Sequence, residues 1–326
     1  MTSLPDEAKP FVSNWLGEQW TATPLAGDAS VRAYYRIALP DGKTYMLAYY
    51  PPEVRPQLRR FLSAYEAVRG HGPVPEVLQS CEVAVLQADV GDRTLYDVLH
   101  ADRDEGVRLY RDAIGMLVAF QRAAPGELNP AFTAEFFHRE LQMALEFYAG
   151  KLMDGDAAAL EPLMKMICDD LSRHPYVLCH RDFHGQNIHV VNDSLFLIDY
   201  QDLRMGPDTY DAASLLRDRG VATVLGDDTE LELLERYREL VGADEGIRRR
   251  YFETLLQRSI KILGTFSKQP IVRGRMHYLD FIPPTLDSIR RCLDELPHYA
   301  RLRDIFPLQF SLERARERAR SLHGQT

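Results

Sequence analysis

The sequence predicts an α+β chain of two lobes, a small antiparallel-sheet lobe over residues 1–88 and a large, mainly helical lobe over residues 89–326. Three observations predict it. At 326 residues the chain exceeds what one compact core usually organises. Residues 21–87 read as strands with one helix between them, whereas the chain beyond Gly91 carries long runs with apolar residues at helical spacing.

A first helix is expected to end near Trp20. The segments "AYYRIAL" and "TYMLAYY" flank "PDGK", and Asp41-Gly42 marks a hairpin turn between two strands. In "VRPQLRRFLSAYEAVRGHG" the apolar positions Leu58, Phe61, Leu62, Tyr65 and Val68 fall on one helical face, and Gly70 and Gly72 stand where a helix stops. "CEVAVLQ" reads as one more strand. Helices then follow in "DEGVRLYRDAIGMLVAFQRA" and "ELLERYRELVGADEGIRRRYFETLLQRSIKIL". The tail "SLERARERARSLH" mixes Glu and Arg as a solvated helix face does.

A formal net charge of -9 argues against a nucleic-acid or anionic-membrane partner, because such surfaces attract basic proteins. Cys81, Cys168, Cys179 and Cys292 are scattered without a CxxC pair, so neither a zinc site nor a disulfide framework is indicated. The opening "MTSLPDEAKP" has no apolar core of a signal peptide, and no apolar run is long enough to span a bilayer. A cytoplasmic protein without an obligate protein partner is the expectation.

The stretch from Val177 to Asp202 concentrates polar groups beside two strand-like runs, Val190-Val191 and Leu195-Phe196-Leu197-Ile198. Asn192-Asp193-Ser194 between them suits a hairpin loop. If all three residues form the loop, Asn187 stands directly opposite Asp199, with the two side chains on one face and their Cα atoms roughly 4.5–5.5 Å apart. An amide oxygen and a carboxylate converging in this way suit a hard cation such as Mg²⁺, which bridges phosphate oxygens. A two-residue loop would slip the register and put them on opposite faces. Within "HRDFHGQN", Asp182 lies five residues before Asn187, the spacing of the kinase catalytic loop. There the Asp accepts the proton of an attacking hydroxyl, while the Asn and the Asp of the next strand end hold metal against nucleotide phosphates.

"HRDFHGQN", "LIDYQD" and "GPDTYDAASLLRD" resemble the aminoglycoside phosphotransferase family, and more closely its branch of bacterial cell-wall amino-sugar kinases. "GDASVRAYYR", "DVGDRTLYDVL" and "ILGTFSKQPIVRGRMHYLDFIP" extend the likeness over most of the chain. The resemblance implies a protein-kinase-like two-lobe fold with ATP and Mg²⁺ as cofactors. Asp182 becomes the catalytic base, Asn187 and Asp199 the metal ligands, and His180 and Asp211 braces of the catalytic loop. Asp211 would equally suit the start of the helix "DAASLLRD", where a carboxylate meets the positive end of the dipole. His184 is a candidate substrate contact, although a hydrogen-bonded structural histidine is the more frequent outcome for such a residue. The backbone of Gln87 and Ala88 is implied to meet adenine.

The nucleotide lobe departs from the pattern. Kinases carry a Lys on the third strand, yet the first hundred residues hold only Lys9 and Lys43, and Lys43 sits in the hairpin turn. Glu66, where that lysine's partner is sought, reads as a surface residue. "LAGDASVRAYYR" offers a single Gly27, although small residues there, Ser30 included, allow backbone amides to approach phosphate. Arg32 and Arg36 face one side of their strand, and one of them, Arg32 by preference, is the candidate to take over part of the lysine's work. The expected activity is ATP-dependent phosphorylation of a sugar hydroxyl, the anomeric hydroxyl of N-acetylmuramate or N-acetylglucosamine in cell-wall recycling. A kinase for an aminoglycoside, choline-like or other small alcohol, and an inactive nucleotide-binding module, are the alternatives.

Overall fold

The computed structural model describes residues 3–25, 32–123 and 129–323. In chain order the first part comprises α1 (Lys9–Leu16), β1 (Thr21–Pro24), β2 (Ala33–Ala38), β3 (Thr44–Tyr49), α2 (Arg55–Val68), β4 (Val77–Ser80), β5 (Ala84–Ala88), α3 (Leu95–Ala101) and α4 (Arg103–Gln121). The middle comprises α5 (Ala134–Met143), which runs on into a π-helical stretch Ala144–Leu152, then α6 (Ala157–Leu171), β6 (Tyr176–Cys179), β7 (Ile188–Val191), β8 (Ser194–Leu197) and β9 (Arg204–Pro207). The rest is helical: α7 (Tyr210–Arg217), α8 (Val221–Leu225), α9 (Asp227–Val241), α10 (Gly246–Arg273), α11 (Ile282–Glu295), α12 (Ala300–Ile305) and α13 (Leu312–His323). No helix among the described residues is long and apolar enough to cross a membrane.

The chain forms two compact units, Met1–Asn129 with His180–Arg204, and Pro130–Cys179 with Met205–Thr326. The first holds an antiparallel sheet in the order β1-β2-β3-β5-β4. Strand alternation gives this sheet two different faces. Tyr35 opposes Leu47 and Leu47 opposes Leu86, and this row packs against Leu4, Ala8 and Val12 of the N-terminal helical segment. Each buried Leu or Val among them contributes about 1.5–3 kcal/mol. On the other face Arg36, Met46 and Gln87 stand side by side. The later segment His180–Arg204 belongs to this unit through backbone bonds: Val190 N–H donates to the Arg93 carbonyl (2.8 Å) and Leu197 N–H to the Pro73 carbonyl (2.9 Å).

The second unit is built on α10. It packs on α5, the π-helical stretch, α7 and α11. At Gly264 a Cβ would come within 2.6 Å of the Ala144 backbone nitrogen, so only glycine lets α10 lie this close to the π-helical stretch.

Several boundaries differ from the sequence expectations. The first helix ends at Leu16, because Gly17 turns left-handed (φ 81°). Strand β5 begins only at Ala84, because residues 81–83 form the turn from β4, a short strand without an alternating apolar pattern. The long helical run in residues 232–263 is two helices, broken at Gly242 (φ 65°). The hairpin loop has two residues, not three: Asn192 and Asp193 both have positive φ (47° and 63°), and Val191 pairs with Ser194. This register puts Ile188, Val190, Leu195 and Leu197 together on the buried face, which the alternative would split.

Candidate active site

A cleft of about 340 Å³ in the first unit is lined by Arg32, Tyr34, Met46, Gln87 and Ala88 from the sheet side and by Asn187, His189, Ile198, Asp199 and Gln201 from the segment His180–Arg204. Two left-handed residues shape that segment, Arg181 (φ 82°) and Asp199 (φ 64°). Such conformations cost of order 1–3 kcal/mol in non-glycine residues and persist where the surroundings enforce them.

Around Arg181 the enforcement is a hydrogen-bonded loop. The fully buried His180 accepts the Asp182 N–H at Nδ1 (3.3 Å), so its Nε2 carries the proton and donates to the Ile198 carbonyl (2.9 Å). The Asp182 carbonyl accepts both the His184 N–H (3.0 Å) and the Asn187 side-chain Nδ2 (2.9 Å). These bonds have a consequence for chemistry. With its amide nitrogen tied inward, Asn187 presents Oδ1 as a free acceptor. The Asp182 carboxylate is exposed and makes no hydrogen bond or ion pair among the described residues.

Gly185 lets the loop close. A Cβ there would fall 2.7 Å from the Tyr110 hydroxyl and 3.0 Å from the Tyr96 nitrogen. His184 is half-buried, with Nε2 3.5 Å from Asn187 Nδ2. His189, at the cleft wall, holds the Gly91 carbonyl through Nδ1 (2.8 Å).

In the two-residue register Asn187 opposes Ile198, and the Ile198 N–H donates to the Asn187 carbonyl (3.0 Å). Strict alternation would then send Asp199 away from Asn187. The left-handed turn at Asp199 ends the strand and redirects its side chain, and both residues line the same cleft. The next residue anchors the turn: Tyr200, 1% exposed, stacks on Phe61 of α2 with ring centroids 5.2 Å apart. The convergence expected from the sequence is present, for a different reason. Asp199 accepts from Gln201 Nε2 (2.8 Å) and lies 3.5 Å from Arg32 Nη2. An amide oxygen and a half-exposed carboxylate are hard donors that fit Mg²⁺, which takes its remaining ligands from water and phosphate. Among the described residues no cluster of three His, Cys, Asp or Glu side chains offers a closed metal site.

The two arginines separate clearly. Arg36 is gripped by Asp89 (2.6 Å) and Asp92 (2.8 Å), which hold its guanidinium above its ordinary pKa and are themselves held low. This pair pins the segment after β5. Arg32 lies with its guanidinium 5.8 Å from the Tyr34 ring centroid and 5.9 Å from that of Tyr50. Burial pushes the Tyr34 phenol up, so that ring stays neutral.

Gln87 is buried and Ala88 ends β5, both against the cleft. The Ala88 N–H is already spent on the Glu76 carbonyl (2.9 Å), so a base at this strand end would have to use a carbonyl or the amides beyond it. Glu66 is exposed and pairs with Arg69 at 2.9 Å. Asp211 is fully buried in the first turn of α7, in the second unit. Ser30, together with Ala26, Gly27 and Ala29, lies outside the described residues. The sequence missed Tyr34, Tyr50 and Tyr200 as parts of the site; tyrosines in strands ordinarily signal packing.

Fold and cleft define a protein-kinase-like architecture with an antiparallel sheet and a mainly helical part. The chain belongs to the phosphotransferase enzyme family, whose model matches residues 21–251. It is 29% identical over 90% of its length, and 91% of the relative's, to the N-acetylmuramate/N-acetylglucosamine kinase of Pseudomonas aeruginosa. To the enzyme of the same name from Neisseria meningitidis serogroup B it is 27% identical, covering 92% of this chain and 95% of that one. Among solved structures it is similar to a Plasmodium vivax ethanolamine kinase, with TM-score 0.62 and 12% identity over 86% of this chain and 85% of that one. It is also similar to the streptomycin-ATP-APH(2")-IIa ternary complex, with TM-score 0.57 and 14% identity over 81% of this chain and 91% of that one.

Proposed function

We propose that this phosphotransferase is an ATP- and Mg²⁺-dependent sugar kinase that phosphorylates the anomeric hydroxyl of N-acetylmuramate or N-acetylglucosamine. Residues 1–88 form its nucleotide-binding lobe. One observation carries the mechanism: a single loop leaves the Asp182 carboxylate unengaged while tying the Asn187 amide so that its oxygen points free, beside the left-handed Asp199. Asp182 accepts the proton of the sugar hydroxyl as it attacks. Asn187 Oδ1 and the Asp199 carboxylate are the groups that hold the metal, which when bound neutralises phosphate charge. His180 acts indirectly, holding the Asp182 amide and the Ile198 carbonyl in one frame. Phosphoryl transfer needs alignment and charge neutralisation more than covalent help, and this set supplies both.

The choice of acceptor is supported by the shared name of the two relatives over nearly the whole chain. Nucleotide use is supported by the ATP in the ternary complex of the structural relative. A cytoplasmic place in cell-wall recycling follows from that acceptor.

The test is ATP turnover with Mg²⁺ over a panel of N-acetylmuramate, N-acetylglucosamine, an aminoglycoside and choline, with the phosphorylated oxygen identified by ³¹P NMR. Phosphate should appear on the anomeric oxygen of the two amino sugars, and Asp182→Asn should lower turnover by about 10²–10⁴-fold. Turnover confined to choline or the aminoglycoside would replace the acceptor. Nucleotide binding without turnover on any of them would make the chain an inactive module.

A further inference from the structure

We propose that His189 reads the ribose of the nucleotide: its imidazole, locked in one tautomer by the Gly91 carbonyl, offers Nε2 as the acceptor for a ribose hydroxyl and makes the cleft prefer ribonucleotides. This rests on the nucleotide-dependent function above and names a specificity residue for it.

Position and rigidity come from β7. Ile188 and Val190 turn into the buried face, so His189 between them turns out of it, half-buried, onto the wall of the cleft. Its backbone is held on both sides, paired with Phe196 of β8 and with Thr94. The ring is held as well. Nδ1 lies 2.8 Å from the Gly91 carbonyl, in a turn where Gly91 has φ 70° and donates its N–H to Asp89 (2.9 Å). A backbone and ring fixed before the ligand arrives spare binding the ordering cost of a free side chain.

The tautomer follows from the partner. A carbonyl oxygen can only accept, so Nδ1 carries the proton, and in the neutral ring Nε2 is left with a lone pair. That nitrogen makes no hydrogen bond or ion pair among the described residues. Asp92, whose charge reaches His189, has both carboxylate oxygens on Arg36 at 2.8 Å. An acceptor in the cleft calls for a donor on the ligand. On a nucleoside triphosphate the phosphates only accept, and the donors are the ribose hydroxyls and the N–H groups of the base. His189 stands two residues from Asn187, roughly 6–7 Å along the chain, while Gln87 and Ala88 line the cleft from β5. With metal and phosphates at Asn187 and the base at the end of β5, the part of the nucleotide that falls to His189 is the ribose.

The experiment is calorimetric titration of the native full chain and its variants with ATP, 2′-deoxyATP and 3′-deoxyATP, with Mg²⁺ present and no sugar added. The native chain should bind ATP about 3–10-fold more tightly than the analogue lacking the hydroxyl that His189 accepts, the other analogue serving as control. His189→Asn keeps a side-chain N–H at the place of Nδ1 for the Gly91 carbonyl and lacks the outer nitrogen. In it ATP should fall to the level of that analogue, while the analogue itself changes by less than about twofold. His189→Gln, whose amide oxygen reaches the place of Nε2, should keep part of the preference. Should His189→Asn not fold, His189→Phe, with a ring and no nitrogen, carries the comparison and should show no preference. A histidine that only fastens Gly91 would, on substitution, weaken all three nucleotides equally. That result, equal binding of the three by the native chain, or a preference that survives in His189→Asn would overturn the assignment and leave the kinase function standing. A native chain that binds none of the three would overturn both.

Discussion

Asp199 shows how much one backbone angle decides. Its φ of 64° is tolerated by Asp and Asn, whose short polar side chains bond locally, and is strained for a β-branched residue. Asp199→Asn is therefore expected to keep stability within about 0.5 kcal/mol, since the half-exposed pair with Arg32 is worth little, while turnover falls by at least about 10²-fold with the lost charge. Asp199→Val should cost about 1–3 kcal/mol more than Asp199→Asn, read by urea unfolding. Equal stabilities would mean the left-handed turn is not enforced. At this scale the sequence was half legible. The spacing of Asp182 and Asn187 and the apolar run before Asp199 pointed to a segment whose Asn187 and Asp199 line one cleft. The facing of Asn187 and Asp199 came from period-two counting, which stops applying where the strand ends. Arg32 and Tyr50 were harder still, because nothing in an isolated tyrosine announces that an arginine eighteen positions earlier, by residue number, rests on its ring.

Two elements invite tests through their packing. The loop from Asp182 to Asn187 closes against α3 and α4, so Gly185→Ala drives a methyl into backbone atoms of Tyr96. A cost of about 1–3 kcal/mol is expected, with loss of activity even where the chain stays folded, checked by unfolding and turnover together. In the second unit, Glu253 of α10 is 3% exposed and accepts from His174 (2.8 Å), Arg249 (2.7 Å) and His298 (3.1 Å), joining α10 to the segments before β6 and after α11. Burial raises its pKa, but the His174 and Arg249 donors outweigh that and hold it below its ordinary 4.5. A carboxyl lowered on folding stabilises at pH above 4.5 and loses that contribution as pH falls through its folded value. Glu253→Gln should thus cost about 3 kcal/mol or more near neutral pH, with the gap to the native chain narrowing below pH 4.5. A gap that widens in acid would refute the assignment. The helices and hairpins were legible because turn chemistry and periodicity are local; the break at Gly242 and the short strand β4 were not, since a glycine in an apolar run reads either way and four half-buried residues leave no alternation.

Over the whole molecule, the chain leaves the first unit at Asn129 and returns to it at His180, and the Asn129 N–H donates to the Leu203 carbonyl (3.2 Å) where it leaves again. The hairpin of β7 and β8 therefore completes a unit whose other parts lie far earlier in sequence. A fragment of residues 1–129 should unfold without a cooperative transition, while joining residues 180–204 to it through a flexible linker of about 20 residues should restore one, followed by circular dichroism in urea. Cooperative unfolding of the shorter fragment would show the hairpin to be dispensable. By itself the sequence determined the α+β class and the sheet-then-helix order, because both are written in residue spacing and turn chemistry, and its motifs carried the resemblance to the family. Only the tertiary structure decided that Asn187 and Asp199 share a cleft despite their register, and that Arg32 rests on Tyr50 beside Asp199. Those arrangements join residues 12, 18 and 167 positions apart, and approach over such distances is set by packing, which no local pattern records.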